Sequence, residues 1–228
     1  MVPAQMSSIS LAVVGHPDRQ EMLDQLVKSV RADAVSLDNT AMGCGRNHLK
    51  AIAQAYGHAV EHYKKWIVIL EDDAIPVPDF RAQVEAALQH APTQMVSFYL
   101  GINHPLQYQY NFSKAVKEQT SWIIHPNMRH AVGYAIGIKY VPSLRETMSE
   151  FVEKNWAPDD AMSEYAKATK HLVSYTNPSL VDHQDSPSVI KNRTHLGEPV
   201  TAKPLARKAH RFGPKLNWDG TYTTVEVP

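Results

Sequence analysis

The chain has 228 residues, 43% of them hydrophobic and 20% charged, with 23 basic and 23 acidic side chains. This composition excludes a disordered, collagen-like or disulfide-dense chain and suits a single α/β domain with its own core. One cysteine, Cys44, excludes an internal disulfide. No apolar run approaches the ~18 residues of a membrane helix, and the first residues lack a signal-peptide pattern. The expectation is a cytoplasmic protein with no membrane partner.

Charge is unevenly spread. Lys191, Arg193, Lys203, Arg207, Lys208, Arg211 and Lys215 face only Glu198, Asp219 and Glu226 over residues 191–228. An acidic body (1–190) therefore carries a basic tail (191–228), rich in proline and polar residues and without clear periodicity. Such a tail is expected to lie extended on the body and to meet a polyanion.

Ser8–Val14 is apolar and β-branched and ends at Gly15-His16-Pro17, which predicts a buried strand that stops at a loop. Met22, Leu23, Leu26, Val27 and Val30 follow helical spacing. Ala34–Leu37 predicts a second strand, ending at Asp38-Asn39. After Gly43-Cys44-Gly45 comes a one-face stripe of Leu49, Ile52, Ala53, Tyr56, Val60 and Tyr63, a longer helix. Trp66–Leu70 is a continuous apolar run, as in a central strand covered on both faces, and stops at Glu71-Asp72-Asp73. Phe80–His90 predicts a helix and Met95–Leu100 a strand. Gln107–Lys117 is polar, tyrosine-rich and unassigned. Ser121–Ile124 and Val132–Ile138 predict strands, and Pro142–Val152 and Asp159–Lys170 predict helices. Alternating strands and helices predict a mostly parallel, Rossmann-like sheet flanked by helices.

The sharpest chemical feature is the acidic triplet Glu71-Asp72-Asp73 at the end of that strand. Ligands of open α/β sheets bind outside the carboxyl ends of the strands. Three adjacent carboxylates repel one another unless a positive charge sits among them, and Mn²⁺ or Mg²⁺ suits oxygen ligands while leaving positions for phosphate. Far downstream, the short apolar run Ser179-Leu180-Val181 delivers Asp182 and His183. An imidazole is a good ligand for Mn²⁺ beside carboxylates. Asp159 and Asp160 open a helix, where they serve either as a general base or as plain helix-terminal acids. His58 and His62, one turn apart, read as a solvated face. Cys44 reads as a small packing residue.

Ile69-Leu70-Glu71-Asp72-Asp73, with the helix opened by Gly43-Cys44-Gly45-Arg46-Asn47-His48, resembles the acidic motif and Gly-Cys element of GT-A glycosyltransferases of the lipopolysaccharide and collagen galactosyltransferase group. Val13–Arg19, Leu70–Ala74, Val96–Gly101, His130–Ala135 and Tyr175–His183 together are similar to small glycosyltransferases of tailed bacteriophages and some actinobacteria. The resemblance implies a GT-A fold and a nucleotide-sugar donor, with UDP-sugar the first choice. It makes Asp73 and His183 the metal ligands. His16, Pro17, Arg19, Asp38, Arg46, Glu71 and Asp72 would line the donor site, and Asp159 or Asp160 would supply the base. Tyr99, His130 and Tyr134 would contact the acceptor, with host cytoplasm as the location if the chain is phage-encoded. The acceptor stays open between a 5-hydroxymethylpyrimidine in DNA, read by the basic tail with Tyr99, Tyr108, Tyr110, Phe112 and Trp122, and a protein or glycan. A metal-dependent phosphohydrolase or nucleotidyltransferase is the alternative chemistry.

Overall fold

A computed structural model describes residues 7–102, 106–184 and 208–226. Its centre is an eight-stranded mixed sheet. In chain order the strands are β1 (Ile9–Gly15), β2 (Ala34–Leu37), β3 (Trp66–Glu71), β5 (Met95–Ser97), β6 (Trp122–His125), β7 (Gly133–Gly137), β8 (Val173–Thr176) and β10 (Tyr222–Thr224). A separate two-stranded ribbon pairs β4 (Ala74–Pro76) with β9 (Val181–His183). The helices are α1 (Gln20–Val30), α2 (Cys44–Glu61), α3 (Phe80–Leu88), α4 (Leu106–Lys117), α5 (Val141–Val152) and α6 (Pro158–Thr169).

The strand order is β10-β6-β8-β5-β7-β3-β1-β2. β1 pairs parallel with β2 and β3, β5 with β8, and β6 with β10. β7 runs antiparallel to both β3 and β5, and β6 antiparallel to β8. The fold is thus α/β and doubly wound, but its sheet is more mixed than the alternation of elements implies.

Alternation along the strands builds two cores. Ala12, Val14, Ile67, Ile69, Tyr134 and Ile136 face α2, α5 and α6. Ile9, Leu11, Val13, Val68, Leu70 and Ala135 face α1 and α3. Burying each large apolar side chain contributes about 1.5–3 kcal/mol before entropy is counted, so both faces must be covered. The chain goes from β1 to β2 on one side, then back across β1 to β3 on the other. That reversal makes the gap between the ends of β1 and β3 the topological switch point, where open sheets leave a crevice.

Several expectations need correction. Gln107–Lys117 belongs to α4, with Tyr108 and Phe112 buried. Met95–Leu100 is strand only to Ser97. Within the tail 191–228, residues 191–207 lie outside the described residues. Residues 208–226 pack on the body: Gly101 bridges Ala209, Ser179 bridges Phe212, and β10 adds an edge strand to the sheet.

Candidate active site

Everything of interest stands along one edge of the sheet, at the carboxyl ends of β1, β2, β3 and β5. β3 is buried for five residues and partly exposed at Glu71, and its chain then turns sharply through Asp72-Asp73 into β4. The β4–β9 ribbon pairs Ala74 with His183, so residue 183 stands beside the acidic turn. The Gln184 N–H donates to the Asp73 carbonyl at 2.9 Å and fixes the same register. His183 Nε2 lies 3.4 Å from Asp73 Oδ2, with both side chains almost fully buried. Two segments 110 residues apart therefore meet because a three-residue strand closes on its partner, not because of any long motif.

Arg19 completes this cluster. A 3-10 turn, Pro17–Arg19, follows β1, with His16 as its N-cap accepting the Asp18 N–H at Nδ1. The turn carries the Arg19 guanidinium into the crevice. There Nη1 donates to Asp72 Oδ1 at 2.9 Å and to Asp73 Oδ2 at 2.6 Å. The His16 N–H donates to the other Asp72 oxygen at 2.8 Å. Pro17 is exposed on the rim. Burial raises the Asp72 pKa from the ordinary carboxylate value, although Arg19 and the His16 N–H pull it down. Burial and the neighbouring Glu71 raise Asp73 against the opposing pull of His183 and Arg19. Arg19 rises despite its burial, because the two aspartates hold its charge.

The donor set fits a divalent cation on a specific ground. Among the described residues Asp73 Oδ1 and His183 Nδ1 are buried with no hydrogen-bond partner. An unsatisfied buried polar atom costs about 1–3 kcal/mol, more for a charged one. Asp72 and Asp73 against one guanidinium also leave negative charge that a hard cation would balance, while Glu71 is turned to His48.

The other residues singled out in the sequence fall into three groups. Asp38, at the end of β2, accepts the Met42 N–H at 2.7 Å and the Gly43 N–H at 3.0 Å. It thereby shapes the entry to α2, where Gly43 adopts φ 89°, a conformation open to glycine at little cost. Arg46, in the first turn of α2, is exposed and reaches out to Glu153 at 3.2 Å.

The second group is the wall past β5 and β7. Tyr99 is buried, its ring 6.2 Å from His183 and 5.5 Å from His130. The backbone N–H of His130, a residue at φ 68°, donates to Asp159 Oδ2 at 3.0 Å. Tyr175 braces that loop, its hydroxyl donating to the Asn127 carbonyl and accepting the Arg129 N–H, each at 2.8 Å. Asp73, His183, Tyr99, His130 and Asp159 thus form one contiguous wall. Asp159 lies in the first turn of α6 beside Asp160, both half-buried.

The third group corrects the aromatic expectation. Tyr99, Tyr108, Phe112 and Trp122 are buried and offer no stacking face, and only Tyr110 is broadly exposed. The Trp122 indole N–H is held by the Asp219 carbonyl at 2.8 Å. Tyr134 is fully buried and its hydroxyl stands 3.1 Å from His48 Nδ1, inside the fold and not on an acceptor surface.

Two residues were underrated in the sequence. Asn47 is buried: its Oδ1 accepts the Ser36 hydroxyl at 2.6 Å and its Nδ2 donates to the Gly15 carbonyl at 2.9 Å. It ties α2 to the ends of β1 and β2. His48 is fully buried, with Nε2 3.2 Å from Glu71 Oε1. Burial alone would lower its pKa, but Tyr134, Cys44 and Glu71 around the ring raise it well above the ordinary value. The available signal was the small-residue face Ala51, Ala55 and Ala59, onto which Asn47 and His48 lead and which the stripe read from the larger side chains passed over. Farther along the same edge, beyond β8, a groove of about 780 Å³ is lined by Lys117, His210, Arg211 and Lys215, with no acid in its wall. No protein-family model matches the chain, and no curated protein matches it.

Proposed function

We propose that this protein is a metal-dependent glycosyltransferase of the GT-A kind, using a nucleoside diphosphate sugar, with UDP-sugar the first choice. The observation that carries the reading is the convergence of Asp73 and His183 at the switch point, with Arg19 between the acids. A Mn²⁺ or Mg²⁺ ion there would neutralise the diphosphate as it leaves. Arg19 adds a fixed positive charge where leaving-group charge grows, and the buried setting strengthens it. The His16-Pro17 turn shapes the nucleotide side of the crevice, and Asp38 stands at its far rim. Asp159, aimed by the His130 N–H, is the group placed to accept a proton from an acceptor hydroxyl, with Asp160 beside it. The buried Tyr99 ring stands 5.5 Å from His130 and 6.2 Å from His183.

For the acceptor, the basic groove favours a nucleic acid over a glycan. β3 and β8 are three strand spacings apart, so about 14 Å separate the acids from the groove. A strand lying along the edge would place phosphates against Lys117, Arg211 and Lys215 while one base reached the acids. A hydroxymethylated pyrimidine is the hydroxyl such a strand offers.

Calorimetry with UDP and MnCl₂ tests the donor half. Wild type is expected to bind UDP only with Mn²⁺, and Asp73→Asn to lose at least about tenfold in affinity. Equal binding by both proteins would remove the metal assignment. Mass analysis of hydroxymethylcytosine DNA, unmodified DNA and simple sugars after incubation with UDP-sugars tests the acceptor half.

A further inference from the structure

Cys44, His48 and Glu71 make a second cluster that sugar transfer does not use. Cys44 is the first residue of α2 and His48 lies one turn on, so both side chains share a face. Glu71 closes β3 directly opposite. The Cys44 sulfur, an imidazole nitrogen of His48 and a carboxylate oxygen of Glu71 all lie within 4.8 Å of one another. In a tetrahedral site with bonds of about 2.0–2.3 Å, ligand atoms stand roughly 3.3–3.8 Å apart. Small rotations of Cys44 and Glu71, both only half-buried, would close that difference.

We infer that Cys44, His48 and Glu71 form a second metal site, selective for a borderline cation such as Zn²⁺. The donor types separate it from the first site. A thiolate, an imidazole and one carboxylate match Zn²⁺, whereas Mn²⁺ and Mg²⁺ favour oxygen-rich sets such as that around Asp73. The support expected behind a metal-bound imidazole is also present. His48 Nδ1 stands 3.1 Å from the Tyr134 hydroxyl, and the two rings stack at 13°. Such a partner fixes ring orientation and leaves Nε2, the atom facing Glu71, for the metal. The helix start adds partial positive charge beside Cys44. Three protein ligands leave a fourth position, and Glu71, about a quarter exposed, marks its open side. Glu71 directly precedes the acidic turn, so an ion here would anchor the end of β3 from which Asp72 and Asp73 project.

The chain has one cysteine, so any thiolate-to-metal charge-transfer band must come from Cys44. The test is titration of the full chain with Co²⁺, followed by near-ultraviolet absorption. One Co²⁺ per chain should give a sulfur charge-transfer band in wild type, and Zn²⁺ should bleach it. The band should persist in Asp73→Asn, which removes the other site, and vanish in Cys44→Ser and Cys44→Ala. His48→Gln should weaken Co²⁺ binding at least about tenfold. No band in folded wild type at saturating Co²⁺, or a band surviving in Cys44→Ala, overturns the site. Neither outcome bears on UDP and Mn²⁺ binding, so the donor reading stands or falls separately.

Discussion

Arg19 and the proposed cation would answer the same electrostatic need, and replacing Arg19 with Met separates them. The guanidinium is about 10% exposed, its partners Asp72 and Asp73 about 6–7%. Removing one member of a buried ion pair costs about 3–5 kcal/mol, because a buried charge is left uncompensated. Here the lower figure applies: Asp72 keeps the His16 N–H, and both carboxyls already have raised pKa values, so a proton can take up part of the loss. A loss of about 3 kcal/mol would lower the melting temperature by roughly 6–12 °C in a domain of this size. A cation that binds only the folded state returns about 2.7 kcal/mol at a hundred times its Kd. Urea unfolding near neutral pH, in EDTA and in excess MnCl₂, measures both quantities. Arg19→Met should be the less stable protein in EDTA, and Mn²⁺ should stabilise it by more than it stabilises wild type, because the guanidinium no longer competes with the cation for Asp73. The reasoning is refuted if the variant matches wild type in EDTA within about 0.5 kcal/mol, or if Mn²⁺ leaves its deficit unchanged.

His125 is buried between Tyr108 and Phe112, and burial lowers its pKa to about 4. Its folded value lies below the unfolded 6.5, so the stability it permits is present above that value and is lost as pH falls toward 4. The loss reaches about 3 kcal/mol; His125→Phe should flatten that part of the urea-midpoint profile, and parallel profiles would exclude it. Asn47→Ala deletes two buried hydrogen bonds and should cost about 1–3 kcal/mol by the same unfolding assay. Lys117→Glu combined with Arg211→Glu should weaken single-stranded oligonucleotide binding more than about tenfold and flatten its salt dependence, while leaving UDP and Mn²⁺ binding intact. Fluorescence anisotropy at several salt concentrations reads this, and an unchanged salt slope would exclude the groove.

What the sequence made legible follows its periodicities. Ser8–Val14 and Trp66–Leu70 are within a residue of β1 and β3, because continuous apolar runs mark strands covered on both faces. The existence of α2 and α6 was legible, but the stripe read for α2 was the wrong face: Val60 and Tyr63 are exposed, and Asn47, His48, Ala51, Ile52, Ala55 and Ala59 are buried. β4, β9 and β10 are three residues each, too short to show a period of two, and β8 is four. β4 and β9 exist because each is the other's ribbon partner, β10 because β6 offers it an edge, and β8 because β5 and β6 flank it, which is tertiary information. The same split runs through the site. Glu71-Asp72-Asp73 announced itself by the strand before it, whereas the roles of Arg19 and His48 depend on which side chain faces them across the crevice.

The antiparallel strand β7 explains why the acids and the basic groove share one edge without meeting. Its direction reverses between β3 and β5, so at that edge it contributes an incoming loop, Asn127–Val132, in place of a strand end. That loop carries His130, braced by Tyr175 and holding Asp159. On one side of it lie the end of β3 and the clustered acids. On the other lie the end of β8 and the lysines and arginine of the groove. In a direct displacement the carboxylate that takes the proton belongs on the acceptor's side of the sugar, across it from the leaving group. The reversal of a single strand sets the loop that holds Asp159 beside the clustered acids, so under the proposed sugar transfer Asp159 would face the acceptor and the Asp73–His183 pair the departing diphosphate.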